Sequence, residues 1–376
     1  MKKKILIVED DPMVQELHKY YVNNLGHEVV GVFTKGSELL DFLKDNSADL
    51  VLMDIGLEDD LDGIETMLKQ QSSNNIPVVY ISGNIEDSDL KRAINTNMQG
   101  FLSKPVSPDD LDKIITKLQN LNESIVYAAG IQEAIFPQMS DIKKYFKNST
   151  YINRPKDIVT GDFPFLHHSK NNQFIIGGIG DCTGHGIPGA LLSVLCHEIL
   201  SESSRFHTDL RKVIFELNER LIKNFTDYRN TLKIADSAEI ILFKIIPEDS
   251  KIEICAVNRP YIHYDSKNKV LNYVKMKTKS LGTTIENYDD IPFDELVYNE
   301  NDYFYFFSDG VVDQFGGEKN KKLTPKRFIQ FLNELSSGPI NSRQIELDVF
   351  LRKWQGNLEQ TDDMILMGIC PQYTTI

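Results

Sequence analysis

Cysteine, basic residues and long apolar runs are all scarce in this sequence, and each shortage excludes a class of protein. The four cysteines have neither paired metal-ligand spacing nor the density of a disulfide framework: Cys182, Cys196, Cys255 and Cys370. Lysine and arginine number 41 against 55 acidic residues, and the net charge of −14 argues against nucleic acid as the main partner. The net charge does not exclude a local basic patch.

No uninterrupted apolar run approaches the length of a membrane-spanning helix. The apolar stretch that follows the first lysines ends at Glu9 and Asp10, which is too early for a signal peptide. We therefore expect a cytoplasmic protein with reduced thiols. A chain of 376 residues is long for a single core, and the usual domain size predicts two or three domains, of which we take two as the starting hypothesis.

The stretch from Phe174 to Leu195 predicts a strand, a glycine-rich loop and then a helix. Glycines on both sides of Asp181 allow the backbone to turn sharply and approach a ligand, and Pro188 suits the first turn of a helix. Asp and Gly also form ordinary turns, so the stretch alone leaves a purely structural role open. Further acids adjoin strand-like runs of aromatic or branched residues at three places: Asp162, Asp309 and the pair Asp362 and Asp363.

Residues 1 to about 120 alternate short branched runs with helical periodicity. Ile5–Val8, Leu50–Met53 and Pro77–Ile81 have the composition of strands, and apolar residues at helical spacing fill the gaps. This alternation predicts an α/β domain with a doubly wound parallel sheet, in which ligands bind beyond the carboxyl ends of the strands. The residues at those ends are Glu9, Asp10, Asp54, Ser82 and Lys104.

These strand-end side chains have the chemistry of a phosphoryl-transfer site. Three clustered carboxylates are costly unless a cation joins them, and a set of oxygen ligands suits Mg²⁺. In such a site Asp54 attacks the phosphoryl group, Lys104 offsets the charge of the product, and the Ser82 hydroxyl bonds a phosphoryl oxygen.

Four motifs in this region occur in the order Ile-Leu-Ile-Val-Glu-Asp-Asp-Pro, Val-Leu-Met-Asp-Ile, Tyr-Ile-Ser-Gly and Phe-Leu-Ser-Lys-Pro-Val. Together they resemble the receiver domain of bacterial response regulators, whose α/β fold is a doubly wound five-stranded parallel sheet. The resemblance covers residues 1–120 and implies a sensor histidine kinase or a phosphotransfer protein as partner.

The receiver resemblance also assigns roles to individual residues. It implies that Asp54 is the phosphoacceptor and that Glu9, Asp10 and Asp54 bind Mg²⁺. It implies phosphate-sensing roles for Ser82, Lys104 and Phe101, and a cis peptide bond between Lys104 and Pro105. Gly83 departs from the alanine that is common in the family. The alternative is a receiver-like fold that no longer takes phosphate, and the complete set of acids with the lysine argues against it.

A helix is predicted to begin at Ser107-Pro108-Asp109-Asp110, with Ser107 as its N-cap and acids near the positive end of its dipole. Its apolar residues step alternately by three and four: Leu111, Ile114, Leu118, Leu121, Ile125 and Ala128. This pattern indicates a helical linker over residues 121–147 that forms a coiled coil between two copies of the chain. The alternative is an amphipathic helix packed within one chain, because the pattern is shorter than four heptads.

From Tyr151 onward, branched and aromatic strands accompany two long helices, at about residues 188–203 and 208–224. Glu239–Ile246 and Lys251–Val257 predict a hairpin through the turn at Pro247–Ser250. Hairpins interspersed with helices predict a mainly antiparallel α+β domain. The aromatic run Tyr303–Phe307 could stack on bases, but a buried central strand explains it more simply.

The acids of this second half predict a two-metal hydrolytic site. A phosphate monoester is repelled by bare carboxylates, so an acidic pocket needs divalent cations such as Mg²⁺ or Mn²⁺, which also make water acidic enough to attack phosphorus. The sequence has no Cys-x₅-Arg motif and no His/Cys cluster of the zinc type.

Seven motifs follow one another in this half: Ile-Gln-Glu-Ala-Ile-Phe-Pro, Arg-Pro-Lys-Asp-Ile-Val-Thr-Gly-Asp-Phe, Gly-Asp-Cys-Thr-Gly-His-Gly-Ile-Pro-Gly-Ala-Leu, Ala-Val-Asn-Arg-Pro, Ser-Leu-Gly, Ser-Asp-Gly-Val and Thr-Asp-Asp-Met. They resemble the SpoIIE/RsbU branch of the PP2C superfamily of metal-dependent Ser/Thr phosphatases. The resemblance implies an αββα sandwich over residues 148–376 and two Mn²⁺ or Mg²⁺ ions.

The phosphatase resemblance places Asp181 at the bridging metal ligand, Cys182 at the ligand that lends its backbone carbonyl, and Asp309 and Asp362 at the other metal ligands. Asp162 falls at the acid that holds water beside the metals, and Asp363 is the alternative to Asp362. The branch's usual Asn-Ala-Gly-His-Asn-Pro stretch appears here as Cys255–Pro260, which leaves substrate positioning near Asn258 and Arg259 open. For His185, a structural role in its Gly-His-Gly loop competes with a role as general acid.

Two functions are compatible with this arrangement. The first is a protein Ser/Thr phosphatase controlled by phosphorylation of Asp54, and the family resemblance implies a phosphorylated STAS-type anti-sigma factor antagonist as its substrate. The second is a receiver-gated binding module that uses a phosphatase-like domain without catalysis. Loss of metal ligands would be tolerated in a binder, and the complete acid set favours the enzyme. We expect a homodimer through the linker helix, and no nucleic acid or membrane partner.

Overall fold

The computed structural model describes residues 2–57, 59–70, 76–84, 86–169, 173–232, 237–336 and 338–372. The chain divides into two compact units, residues 1–124 and residues 125–376. Within the ranges described, none of the helices combines the length and the apolar character that crossing a membrane requires.

The first unit is built on a parallel five-stranded sheet in the order β2-β1-β3-β4-β5. Strand β3 is buried along its whole length, as expected for a parallel sheet covered by helices on both faces. The predicted doubly wound fold is confirmed. Its strands are β1 (Lys4–Val8), β2 (Glu28–Phe33), β3 (Leu50–Asp54), β4 (Val78–Ser82) and β5 (Met98–Ser103). Its helices are α1 (Pro12–Asn24), α2 (Gly36–Phe42), α3 (Gly63–Gln70) and α4 (Asp87–Ala93).

One long helix, α5 (Pro108–Ile135), spans the boundary between the two units. Ser107 caps it as predicted, because its hydroxyl oxygen accepts the backbone N–H of Asp110 at 3.2 Å. Leu111 in the first turn is buried, whereas Leu121, farther along the predicted seam, is 48% exposed. The apolar stripe is therefore buried at its beginning, exposed at Leu121 and half-buried farther on at Ile125 and Ala128.

The second unit contains two five-stranded antiparallel sheets, ordered β13-β10-β9-β8-β7 and β12-β11-β14-β17-β6. The predicted hairpin is confirmed, since β9 pairs with β10 in antiparallel register. The strands of the first sheet are β7 (Asp162–His168), β8 (Ile175–Cys182), β9 (Ala238–Ile246), β10 (Lys251–Val257) and β13 (Phe293–Val297). Those of the second are β6 (Thr150–Arg154), β11 (Tyr261–Asp265), β12 (Val270–Val274), β14 (Tyr303–Phe307) and β17 (Met364–Ile369). A short pair, β15 (Phe315–Gly316) and β16 (Lys321–Lys322), lies apart.

Helices cover the outer face of each sheet in this unit. Residues of α7 and α8 share a hydrophobic core with the first sheet, and residues of α9, α10 and α11 share another with the second sheet. A third core, which includes Phe243 and Phe306 stacked at 4.8 Å, lies between the sheets. The predicted αββα layering is confirmed. The helices are α6 (Met139–Tyr145), α7 (Gly186–Phe206), α8 (Leu210–Leu232), α9 (Asp309–Asp313), α10 (Thr324–Ser336) and α11 (Arg343–Gln355).

The aromatic run Tyr303–Phe307 forms β14, and each of its five side chains is buried. Strand β14 lies at the centre of its sheet, between β11 and β17. The predicted core role of this run is thereby confirmed, and its rings are not available for stacking on bases.

Candidate active site and phosphoacceptor site

The predicted acids of the first unit meet at the carboxyl end of its sheet. Glu9 and Asp10 follow β1 and Asp54 ends β3, two neighbouring parallel strands. One carboxylate oxygen from each residue lies within 4.8 Å of the others. Three oxygen donors at this spacing are the kind of set that Mg²⁺ prefers.

Lys104 joins two of these acids. Its Nζ lies 2.7 Å from Asp54 Oδ2 and 2.9 Å from a carboxylate oxygen of Glu9. The other Asp54 oxygen, Oδ1, accepts the backbone N–H of Gly56 at 3.2 Å. Burial raises the pKa of Glu9 to about 7 against the hydrogen bond from Lys104, and the neighbouring Asp54 charge adds to the rise. The cluster is therefore short of positive charge.

The other predicted receiver residues lie on or just after the strands β4 and β5. Ser82 ends β4, and its hydroxyl donates to the backbone carbonyl of Asn84 at 2.6 Å. Phe101, on β5, is half-buried against the ring of Tyr80, with centroids 5.5 Å apart. The Lys104–Pro105 peptide bond is cis, in agreement with the prediction.

In the second unit, strand pairing brings three acids side by side. Asp162 begins β7 and pairs with Asp181 on β8, and Asp181 pairs in turn with Glu239 on β9. Directly opposed residues of an antiparallel pair project on the same face, so the three carboxylates form one row across the sheet. Asp309 begins α9 and is separated from the end of β14 by one residue, and Asp362 and Asp363 precede β17.

Burial makes the ionised form of these carboxylates unfavourable. Burial raises the pKa of Asp162 well above its usual range, and the charge of Asp181 adds to this effect. Burial also raises the pKa of Asp181 to about 7, against the opposing attraction of Arg259. One oxygen of Asp162, Oδ2, is buried without a hydrogen-bond partner in the part of the chain that the structure describes. An orphaned oxygen beside other carboxylates fits a site for a divalent cation.

Asp362 and Asp363 occupy different surroundings. Asp363 is buried, and its two oxygens accept the backbone N–H groups of Lys156 and Gly161, each at 2.7 Å. Asp362 is exposed, and its Oδ1 accepts the backbone N–H of Asp363 at 2.8 Å. The side chain of Asp363 therefore holds the loop that leads into β7, whereas that of Asp362 keeps an oxygen facing solvent.

Two glycines let the loops of this site approach each other. A Cβ on Gly161 would lie 2.8 Å from the Gly184 carbonyl oxygen and 3.1 Å from that of Cys182. A Cβ on Gly310 would lie 1.9 Å from the Asp363 carbonyl oxygen. Close backbone contact is why the Thr-Gly-Asp and Ser-Asp-Gly motifs need glycine beside the acid.

Arg259 and Glu239 lie beside these acids. The sequence marked Arg259 only as a departure that leaves substrate positioning open, and it gave Glu239 no role. Nη2 of Arg259 lies 2.6 Å from Asp181 Oδ2, 2.9 Å from Glu239 Oε2 and 3.5 Å from Asp309 Oδ2. The Arg259 side chain is only 6% exposed. A buried guanidinium thus neutralises part of the carboxylate row. The signal available in the sequence was the Asn-Arg-Pro departure at the end of β10.

His185 directly precedes α7. Its Nδ1 is 2.8 Å from Asp157 Oδ2, and both side chains are about half exposed. This contact joins two loops and supports the structural role for His185. All four cysteines are buried free thiols, Cys182 among them.

Gln132, in the last turns of α5, was also missed as a functional residue. Its buried amide accepts the Thr160 N–H at 3.1 Å and donates to the Thr160 carbonyl at 2.8 Å. It also donates to Ser193 Oγ on α7 at 3.0 Å. Thr160 Oγ1 in turn accepts the backbone N–H of Asp162 at 3.0 Å. The helix end is therefore bonded to the loop that carries an acid of the site.

Comparison with known proteins matches a different family model in each half of the chain. The response regulator receiver domain model matches residues 5–116, and the stage II sporulation protein E (SpoIIE) model matches residues 174–371. Response regulator protein VraR of Staphylococcus saprophyticus is 33% identical over 130 residues, 34% of this chain and 61% of that protein, so the chain spans less than two thirds of its length.

Solved structures resemble the second unit. The SiaA-PP2C domain of Pseudomonas aeruginosa aligns with a TM-score of 0.58 at 20% identity, over 68% of this chain and 97% of that one. The PP2C phosphatase domain of SpoIIE from Bacillus subtilis, solved with a fragment of its regulatory domain, aligns at 17% identity with a TM-score of 0.49, over 61% of this chain and 62% of that one.

The fold and the two family models define a response regulator: a receiver domain followed by a PP2C/SpoIIE-type domain. The SpoIIE model covers more than half of the chain. The chain therefore belongs to the stage II sporulation protein E (SpoIIE) family.

Proposed function

We propose that the second unit is a metal-dependent protein Ser/Thr phosphatase controlled by phosphorylation of Asp54. The observation that carries the proposal is the row of Asp162, Asp181 and Glu239 across three paired strands, with Asp309 reached through Arg259. The buried state of all four thiols supports hydrolysis without a cysteine nucleophile. We assign the receiver to residues 1–120, the linker to 121–147 and the phosphatase to 148–376.

The donor set of this unit is suited to two Mn²⁺ or Mg²⁺ ions. Asp181 would hold both ions, and the backbone carbonyl of Cys182 would hold one of them. Asp309 and Asp362 would complete the ligand set. Asp362 is favoured over Asp363 because the two oxygens of Asp363 already accept backbone N–H groups. Bound metals supply positive charge to the phosphate and acidify water. The chain's own part would be orientation: Asp162, whose backbone N–H is held by Thr160 Oγ1, would accept a hydrogen bond from the attacking water and so orient it.

In the receiver, Asp54 is the proposed phosphoacceptor. An oxygen of its carboxylate attacks the phosphorus of the donor as the bond to the donor's leaving group breaks. Lys104, already 2.7 Å from Asp54, offsets the added negative charge. Glu9 and Asp10 would hold Mg²⁺ together with Asp54. A sensor histidine kinase or a phosphotransfer protein supplies the phosphoryl group.

The proposed substrate is a phosphorylated STAS-type anti-sigma factor antagonist, and its support is membership of the SpoIIE family. The proposed assembly is a homodimer through the linker helix in the cytoplasm. Its support is the exposure of apolar side chains along α5, where Leu121 is 48% and Ile131 45% exposed. The receiver-gated binding module remains the second candidate, and catalysis is what separates the two.

The test is hydrolysis of p-nitrophenyl phosphate by the full chain with Mn²⁺. The Asp181→Asn variant is expected to lose about 100-fold or more of the rate, because its carboxylate is central to the acid row. Asp249→Asn serves as the matched control, since Asp249 is an exposed acid in the β9–β10 turn. Undiminished turnover in Asp181→Asn, or in excess chelator, would refute the two-metal mechanism. A wild-type chain without turnover would favour the binding module.

A further inference from the structure

Arg259 is placed by the backbone at the point where the chain leaves the first sheet for the second. Asn258, directly after β10, has a positive φ of 57°, a conformation that asparagine tolerates better than most residues. The Asn258 side chain fixes this turn, because it donates to Ser280 Oγ at 3.0 Å and accepts the Thr278 N–H at 3.1 Å. Pro260 follows and restricts the backbone further. The direction of Arg259 is therefore built into the fold.

The guanidinium of Arg259 binds carboxylates that the metals would also need. Its Nη2 is shared among Asp181, Glu239 and Asp309, and its Nε is buried without a hydrogen-bond partner in the described part of the chain. A guanidinium prefers two parallel hydrogen bonds to one carboxylate, and here one nitrogen serves three. The arginine is thus surrounded by more acceptors than it can satisfy with good geometry.

Metal binding requires the same oxygens to come closer together. Ligands at the 2.0–2.1 Å that Mg²⁺ demands lie about 3 Å from one another in octahedral geometry. Among the described residues, Glu9, Asp10 and Asp54 form the one set of three potential ligands within 4.8 Å, and the acids around Arg259 do not reach that spacing. The guanidinium lies between carboxylates that a metal would draw together.

We propose that Arg259 is a resident cation of the phosphatase site that competes with the metals for Asp181 and Asp309. Metal loading then requires the guanidinium to move off these carboxylates, so Arg259 sets the metal concentration at which the site fills. This inference rests on the proposed function, because it concerns the ligands assigned there. It gives the Asn-Arg-Pro departure of this chain a specific consequence for metal affinity.

The test is direct titration of Mn²⁺ into the chelator-treated full chain by calorimetry, without any phosphoester. All proteins carry Asp10→Asn, which weakens the receiver's own acid cluster. Arg259→Gln is expected to bind Mn²⁺ about tenfold or more tightly than its parent, because close charge pairs are coupled by at least that much. The matched control is Arg220→Gln, which removes an arginine paired with Glu202 and Glu216, outside the acid row. Its Mn²⁺ affinity should stay within about twofold of the parent.

Equal or weaker Mn²⁺ binding by Arg259→Gln would overturn the proposal. Removal of a buried countercharge can prevent folding, so Arg259→Lys is titrated in parallel. Its ammonium keeps the positive charge but lies on a shorter side chain, which reaches these carboxylates less well than Nη2 does. The Mn²⁺ affinity of Arg259→Lys is therefore expected to lie between those of the parent and Arg259→Gln. An unchanged affinity in a folded Arg259→Lys would equally refute the competition. Tighter binding in these variants with no phosphatase activity in any protein would refute the proposed function and leave this inference standing.

Discussion

At the scale of single residues, neighbouring acids of identical chemistry do different work. Asp362 and Asp363 are adjacent, yet only Asp363 is buried, with both oxygens bonded to backbone N–H groups of the loop before β7. The sequence left open which of them binds metal. The hydrogen-bond pattern favours Asp362, because a metal ligand needs an oxygen that is not committed to the backbone.

Substitution of each acid by asparagine separates the two roles. Asp363→Asn replaces one acceptor oxygen by a donor facing a backbone N–H, and we expect a loss of about 1–3 kcal/mol in the free energy of unfolding. Asp362→Asn should change that free energy by less than about 0.5 kcal/mol while weakening Mn²⁺ binding. Urea unfolding followed by the fluorescence of Trp354, the single tryptophan of the chain, reports on the second unit alone. The reverse order of stabilities would contradict the assignment.

A buried histidine gives the second unit a specific acid sensitivity. His197 on α7 lies among the rings of Phe136, Phe163 and Phe165, with centroids 5.3–6.3 Å away, and its Nδ1 has no hydrogen-bond partner among the described residues. Burial lowers its pKa from 6.5 to about 4. Between about pH 4 and pH 6.5, His197 is protonated in the unfolded chain and neutral in the folded chain, so protonation favours unfolding.

The expected result is a loss of stability as the pH falls. This histidine contributes up to about 1.4 kcal/mol per pH unit between roughly pH 6.5 and pH 4, with no contribution to the slope above that window. His197→Leu removes the titrating group and should flatten the slope over that window. The comparison uses urea midpoints from Trp354 fluorescence at several pH values. Equal slopes in the two proteins would contradict the assignment.

The acids of the site could be predicted at this scale, and their countercharge could not. Asp181 and Asp309 each adjoin a run of strand-forming residues, so local sequence was sufficient. Glu239 joins them only because β9 pairs with β8 in the register that sets it opposite Asp181. Arg259 reaches them from the end of β10 through a left-handed turn. Such pairings link residues far apart in the chain, and no local pattern encodes them.

At the scale of elements, the end of α5 is the point where the linker helix bonds to the phosphatase fold. Gln132 accepts and donates at Thr160 and also bonds Ser193 on α7. Since Thr160 fixes the backbone of Asp162, a displacement of this helix end would move an acid of the site. The contact is a physical route by which α5 can affect catalysis, which is what a coupling element requires.

Gln132→Ala tests this route. The Thr160 N–H would be left buried without its partner, and we expect a loss of about 1–3 kcal/mol in the free energy of unfolding. We also expect kcat for p-nitrophenyl phosphate to fall more than KM rises. The substitution removes the support of Asp162 and leaves the contacts of the substrate unchanged. Glu133→Ala is the control, an exposed neighbour on the same helix. A kcat equal to that of the control variant would argue against a positioning role for Gln132.

Two helices at this scale escaped prediction for a physical reason. The strands and the pair α7 and α8 followed from apolar periodicity, although α8 extends to Leu232, beyond the predicted end. In α11, the exposed Ile345 and Val349 alternate with the buried Leu347 and Leu351. These four apolar residues are two apart in the sequence, which is the pattern of a half-buried strand. The sequence pattern therefore does not indicate the helix. In α10, the buried Phe328, Leu332 and Leu335 do follow helical spacing after Thr324-Pro325, a signal that could have been used.

At the scale of the whole molecule, the chain joins a proposed phosphate acceptor to a proposed phosphatase through a single helix. Asp54 and Asp181 belong to different compact units, and α5 spans the boundary between those units. A signal at Asp54 can change catalysis only if the connecting element has two arrangements with different energies. The apolar residues exposed along α5 give such an element a surface through which two chains could pair.

Control of the phosphatase by Asp54 is tested most directly by the initial rate of Mn²⁺-dependent hydrolysis of p-nitrophenyl phosphate. The rate is measured for the intact chain with and without acetyl phosphate as phosphoryl donor. Intact mass is recorded in parallel to establish that Asp54 has gained a phosphoryl group. Asp54→Asn is the control for direct effects of the donor on the assay. We expect metal-dependent hydrolysis whose rate changes several-fold on phosphorylation of the wild type and stays constant in Asp54→Asn. Equal rates in phosphorylated and unphosphorylated wild type, or no hydrolysis in either, would contradict this expectation.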